Sequence, residues 1–253
     1  MNHDFMAVLT GSELPLPQAR NVLLNCVRGF VCSYVPWFAL LMTAASCLSF
    51  PALASNAASA PATVMIYGDS LSAAYGIKPE EGWVALMEKR LGPSGIRVIN
   101  ASISGETTAG GLGRIKTDLN RHKPGTVVLA LGANDGLRGL PVASMRRNLE
   151  GMIDTIQRAG AKVILVGIQI PPNYGIEYAS DFKNVFAAVA TARRLALVPF
   201  LLDGIAEDLD NFQPDRLHPV AAAQARILQN VLPIVQQTVG RSPKAEAAGA
   251  TKR

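Results

Sequence analysis

The chain has 253 residues and is 49% hydrophobic, which suits one domain with a sizeable core plus appendages. Its net charge is +5, and part of that excess gathers near the C-terminus in Arg241, Lys244, Lys252 and Arg253 against Glu246. No basic stripe interleaved with aromatics occurs, which excludes nucleic-acid binding as the main role.

Residues 29–54 carry no charge, follow Arg20 and Arg28, and close on Ala52-Leu53-Ala54. That is the anatomy of a secretory signal peptide cut after Ala54, which places the mature protein in the periplasm or outside the cell. The competing reading is a retained membrane anchor over the same run. Pro36, Pro51 and the small-residue end favour cleavage. Cys26, Cys32 and Cys47 all lie upstream of the cut, so the mature chain has no thiol for disulfides or Cys metal sites. Residues 55–62 read as a flexible mature N-terminus, 63–238 as the folded domain and 239–253 as a disordered tail.

From Thr63 apolar runs alternate with helical stretches. The runs at 63–67, 96–100, 126–131, 162–168 and 197–201 read as strands. The segments 80–91, 108–121, 142–159, 178–195 and 219–238 read as helices. Alternation of this kind predicts an α/β fold, a flavodoxin-like three-layer sandwich around a five-stranded parallel sheet. Chemistry in such folds collects outside the carboxyl ends of the strands.

Four features sit at those ends. Gly68-Asp69-Ser70-Leu71 follows the first strand, a tight turn that lifts a hydroxyl to the edge. A serine attacks an acyl carbon only when a base removes its proton and donors meet the developing oxyanion. Downstream of the cut there are two histidines. His122, before Pro124 at a polar helix end, reads as a helix C-cap. His218, in Asp215-Arg216-Leu217-His218-Pro219, opens the last predicted helix, and two intervening residues put Asp215 and His218 on one turn. Asp215 then holds Nδ1–H and leaves Nε2 for Ser70. Gly105 follows the second strand, where glycine lets a backbone N–H approach a substrate oxygen. Asn134 ends the third and offers an amide that does not titrate. Each feature alone reads equally as an ordinary turn or cap; all four on one edge do not.

These blocks resemble the SGNH (GDSL-type) hydrolases over residues 63–238. GDSLSAAYG, VINASISGETT, NDGLRG and PPNYG are most similar to the bacterial periplasmic branch of acyl-CoA thioesterase I, lysophospholipase and arylesterase. The resemblance implies a nucleophile at Ser70, a base at His218 oriented by Asp215, and an oxyanion hole of the Ser70 and Gly105 N–H groups with the Asn134 side chain. It implies no metal or organic cofactor. The implied activity is hydrolysis of esters and thioesters of fatty acyl groups. Ala133 departs from the branch, which has a second glycine there, and this bears on acyl preference. The loop 171–178, after the fourth strand, offers Tyr174, Ile176 and Tyr178 as apolar surface for an acyl chain. A small ester or thioester substrate, no obligate protein partner and a monomer complete the expectation. A carbohydrate or peptidoglycan O-acetyl esterase is the alternative enzyme, and a flavodoxin-like binding module the alternative outside enzymes.

Overall fold

The computed structural model describes residues 62–240. The expected leader (1–54), nearly all of 55–62 and the tail after Gly240 lie outside the described residues. Five strands, β1 (Thr63–Gly68), β2 (Arg97–Asn100), β3 (Thr126–Ala130), β4 (Lys162–Val166) and β5 (Ala196–Val198), form one sheet. Their order is β2-β1-β3-β4-β5 and every pairing is parallel. The central strands read as unbroken apolar runs because both faces are covered. Val127, Val128 and Leu129 of β3 are fully buried, as are Val64 to Tyr67 of β1, while the edge strand β2 exposes Arg97 and Asn100.

The helices are α1 (Trp83–Leu91), α2 (Thr108–His122), α3 (Ala133–Leu137), α4 (Val142–Arg158), α5 (Ile176–Arg193) and α6 (Gln224–Gly240). α1 packs with α6, and α4 packs with α2 and α5, giving the expected α/β/α layers. The spacing of buried residues explains the fit: Met145, Leu149, Met152, Ile153 and Ile156 form one stripe along α4. Among the described residues no helix is long and apolar enough to cross a membrane.

Three elements differ from the sequence reading. α3 is absent from it, because Gly132-Ala133-Asn134-Asp135-Gly136 has the composition of a turn. Its Gly136 is steric: a Cβ there would lie 2.6 Å from Ile170 Cγ2 and 2.7 Å from Phe182 Cε2. α5 begins at Ile176, so Ile176 and Tyr178 are helical rather than loop residues. The last helix begins at Gln224, not 219, and runs to Gly240. Ahead of it Phe212 and Pro219 form an antiparallel bridge, so Asp215 and His218 ride a hairpin-like loop instead of a helical turn.

A buried side chain just after that loop ties α6 to α1. Gln224, 3% exposed, accepts the Trp83 backbone N–H through Oε1 at 3.0 Å. Trp83 is the first residue of α1, whose N–H has no partner within the helix. Gln224→Met keeps the volume and removes the acceptor. It is expected to cost about 1–3 kcal/mol, the usual penalty for a buried unsatisfied donor, read as a lower urea midpoint at unchanged slope. An unchanged midpoint would contradict this role.

Candidate active site

The turn after β1 is held from three sides. The N–H groups of Ser72 and Ala73 both donate to Asp69 O at 3.0 Å, and Leu71 N–H donates to Asp69 Oδ1 at 3.0 Å. Trp83 Nε1–H donates to Leu71 O at 3.0 Å, and Asn100 Nδ2 donates to Ser72 O at 2.8 Å. A Cβ on Gly68 would stand 2.7 Å from Ser72 Oγ, so a side chain there would force the turn open. The half-buried Ser70 projects from this frame.

His218 Nε2 lies 2.8 Å from Ser70 Oγ, and Nδ1 lies 2.6 Å from Asp215 Oδ2. Asp215 Oδ1 accepts the N–H groups of Leu217 and His218 at 3.0 Å each, so one carboxyl shapes its own turn and grips the imidazole. Arg216 takes a left-handed φ of 56° inside it. Burial pushes the Asp215 carboxyl up, but the His218 N–H and imidazole with the Leu217 N–H outweigh it and hold the group down at about 2. It is therefore ionised at any working pH, which favours the Nδ1–H tautomer and leaves Nε2 free to accept the serine proton.

Of the candidate donors, Ser70 and Asn134 line the same cleft as His218, and Gly105 does not line it. Gly105 has φ 78°, and its N–H, like that of Ser70, makes no hydrogen bond within the described residues. Asn134 Nδ2 donates to Glu106 O at 3.0 Å, and the side chain also faces the Asp69 carboxyl. Buried Asp135 then ties the two loops: Oδ2 accepts Thr108 N–H at 2.8 Å and Oδ1 accepts Thr108 Oγ1–H at 2.5 Å. His122 ends α2 at the opposite edge of the sheet, followed by Lys123 in a left-handed cap. Among the described residues no group of three or more His, Cys, Asp or Glu is placed to hold a metal ion.

A cleft of about 550 Å³ opens beside Ser70 and His218. Its walls are largely apolar: Leu137 from α3, Ile168 and Ile170 after β4, and Phe200, Leu209 and Phe212 after β5. The Ala133 methyl is also in the wall, with Glu207 and Arg216 as the charged members. Tyr174, Ile176 and Tyr178 do not line it. Ile176 is 83% exposed, and Tyr178 donates its hydroxyl to Leu140 O at 2.8 Å and leans on Phe182. The chain's exit from β4 does reach the cleft, but through Ile168 to Pro171, before the prolines turn it away. The β5 side was not marked by any motif. Its signal is length: residues 199–223 form an unusually long connection, and such loops are commonly functional.

Asp69 is the other perturbed acid. It is 1% exposed, and its Oδ2 has no hydrogen-bond partner. Burial pushes its carboxyl up to about 7, against the Leu71 N–H and helped by nearby Asp135. Because the folded state holds a proton that the unfolded chain has released, the contribution is fully present below about pH 4 and is lost as pH rises through about 7. Asp69→Asn removes the titration. The fall in urea midpoint between pH 5 and pH 8 is expected to be smaller in this variant than in the parent; equal falls would assign that pH dependence elsewhere.

A model of the GDSL-like lipase/acylhydrolase family matches residues 66–226. The chain is 47% identical to Esterase TesA of Pseudomonas aeruginosa over 200 residues, 78% of this chain and 98% of that one. It is 35% identical to Thioesterase 1/protease 1/lysophospholipase L1 of Escherichia coli (strain K12) over 175 residues, 69% and 84% of the two chains. Among solved structures it resembles psychrotrophic esterase EstA from Pseudoalteromonas sp., inhibited by monoethylphosphonate. There the TM-score is 0.67 with 40% identity, covering 71% of this chain and 99% of that one.

Proposed function

This chain belongs to the GDSL-like lipase/acylhydrolase family and is an ester hydrolase, and from that premise we propose that Ser70, His218 and Asp215 cleave esters and thioesters of fatty acyl groups through an acyl-enzyme. The observation that carries this reading is the unbroken contact chain Ser70 Oγ–His218 Nε2 at 2.8 Å and His218 Nδ1–Asp215 at 2.6 Å. His218 takes the Ser70 proton as Oγ bonds to the acyl carbon. The carbonyl oxygen, now an anion, is met by the N–H groups of Ser70 and Gly105 and the Asn134 amide. Collapse breaks the bond to the alcohol or thiol, which leaves with the proton from His218. Water then repeats the sequence and releases the carboxylic acid.

The apolar walls support an acyl chain in the cleft rather than a sugar ring, which needs polar partners for its hydroxyls. This argues against the carbohydrate O-acetyl esterase reading. The side chains assigned to the chain are Leu137, Ile170, Phe200, Leu209 and Phe212, in place of Tyr174, Ile176 and Tyr178. The thioesterase among the similar proteins supports extension to thioesters, whose acyl part is the same. The uncharged run 29–54 ending Ala52-Leu53-Ala54 supports export, and a periplasmic fraction is expected to yield protein beginning at Ser55; recovery of the uncut chain from membranes would favour the anchor instead.

The test is a p-nitrophenyl ester series from acetate to palmitate, with a lysophospholipid and an acyl-CoA. Ser70→Ala and His218→Ala are expected to lose on the order of 10⁶ in kcat, and Asp215→Ala less. Asn134→Ala is expected to lose roughly 10²–10³ in kcat with KM little changed, because its donor acts in the transition state. His122→Ala is expected to behave as the parent. Ile170→Ser should flatten the chain-length profile, since each buried methylene is worth about 0.8 kcal/mol. A Ser70→Ala protein that still turns over would end the acyl-enzyme reading.

A further inference from the structure

The loop after the nucleophile turn does more than return to α1. Tyr75 places its ring against the His218 imidazole, centroid to centroid 4.4 Å, tilted 39°. The ring remains 52% exposed, so core packing does not explain its position. The backbone that aims it is constrained on both sides. Ala74 takes φ 58°, a left-handed conformation costly for a residue with a Cβ, and Gly76 takes φ 74°. Strain of this kind persists only where the surroundings enforce it.

The enforcing group is Gln213. Its Nε2 donates to Tyr75 O at 2.8 Å and to Pro219 O at 3.2 Å, and its backbone N–H donates to His218 O at 2.8 Å. One residue thus clamps the loop that carries Tyr75 and the loop that carries His218. A Cβ on Gly76 would lie 2.1 Å from Gln213 Oε1, so the clamp also requires glycine there. The Tyr75 hydroxyl has no hydrogen-bond partner among the described residues, which leaves the ring face as the working part.

We propose that Tyr75, locked by Gln213, is the positioning residue of the general base. Asp215 holds Nδ1 of the imidazole throughout, but the Nε2 contact to Ser70 is given up as Oγ bonds to the substrate, and neither contact restrains the ring face. Tyr75 closes its open side and keeps Nε2 on Ser70. Its electron-rich face also suits the imidazolium that exists only while the proton is in transit. This rests on the assignment of Ser70 and His218 made above.

The experiment compares Tyr75→Phe, Tyr75→Leu and Gln213→Met with Ser70→Ala on p-nitrophenyl butyrate. The downfield Nδ1 proton of His218 in its bond to Asp215 is followed by NMR. Tyr75→Leu is expected to lower kcat about tenfold, with KM within about twofold, since small misplacements of a catalytic group are costly and a cation–π face is lost. Its Nδ1 proton should broaden as the imidazole loosens. Tyr75→Phe should restore both readouts. Gln213→Met, with the ring intact but unclamped, should fall in between, and it decides the matter if Tyr75→Leu does not fold. A raised KM at parental kcat in Tyr75→Leu would make Tyr75 a substrate contact and overturn the proposal. Equal losses in Tyr75→Phe and Tyr75→Leu would overturn it too, by assigning the effect to the hydroxyl. Turnover by Ser70→Ala would instead overturn the underlying acyl-enzyme reading, which an inactive Ser70→Ala with a normal Tyr75→Leu would leave standing.

Discussion

The strand order β2-β1-β3-β4-β5 forces the chain to leave β1 toward one side of the sheet and β3 toward the other. The two connections part at their carboxyl ends, and nothing in the sheet fills the gap between them. Ser70 comes off β1 and Asn134 off β3, on the two banks of that opening. β2 lies beside β1, so its exit brings Gly105 to the same bank as Ser70. β5 lies at the far edge, and its short strand leaves a long stretch of chain to travel back with Asp215 and His218. The parallel sheet has no role in the chemistry beyond this, but no residue of the site would meet its partners without it.

Bringing groups to one edge is not the same as holding them to tenths of an ångström. That second task falls on polar contacts buried behind the site. Asp135 holds the first residue of α2 by both backbone and hydroxyl, and so sets the loop of Gly105 against the loop of Asn134. Trp83 and Gln224 link the nucleophile turn, α1 and α6 in one chain of donors. Gln213 does the same between Tyr75 and His218. Donors held in advance need no reorganisation when charge develops on the substrate, which is where their catalytic value lies.

The fold was legible because its signals are local. Apolar runs such as Thr126–Ala130 could only be strands covered on both faces, and their alternation with helical stretches determined the layers. Ser70, Gly105 and Asn134 stood out because each follows a strand with a residue type that chemistry needs, and Asp215 and His218 because their spacing puts a carboxyl beside an imidazole. The apolar cleft wall was not legible for the opposite reason. Leu209 and Phe212 follow no period, and they face the cleft only because a hairpin-like loop folds back, closed by the bridge of Phe212 to Pro219. Tyr174 and Tyr178 looked suitable in composition, but helix α5 starts two residues before Tyr178 and rotates it toward Phe182. Tyr75 escaped notice because its placement depends on a left-handed alanine, a conformation that composition gives no reason to expect.

Two aspartates lie near Ser70, the proposed nucleophile, and the environment gives them opposite characters. Asp215, partly exposed and accepting two N–H groups and the imidazole, is held near 2. Asp69, sealed in the turn with one oxygen unpartnered, is pushed up to about 7. The division suits their distances from the charge that forms. The base needs a permanent anion at its far nitrogen, where it stabilises the imidazolium without approaching the substrate. An anion one residue from Ser70 would instead oppose the oxyanion of the proposed reaction, in surroundings where water screens little. Raising the Asp69 carboxyl to about 7 weakens that repulsion, and the group still accepts the Leu71 N–H that shapes the turn. The same side chain thus serves as a full charge in one place and as a buried bracket in the other, and the balance of burial against accepted hydrogen bonds decides which.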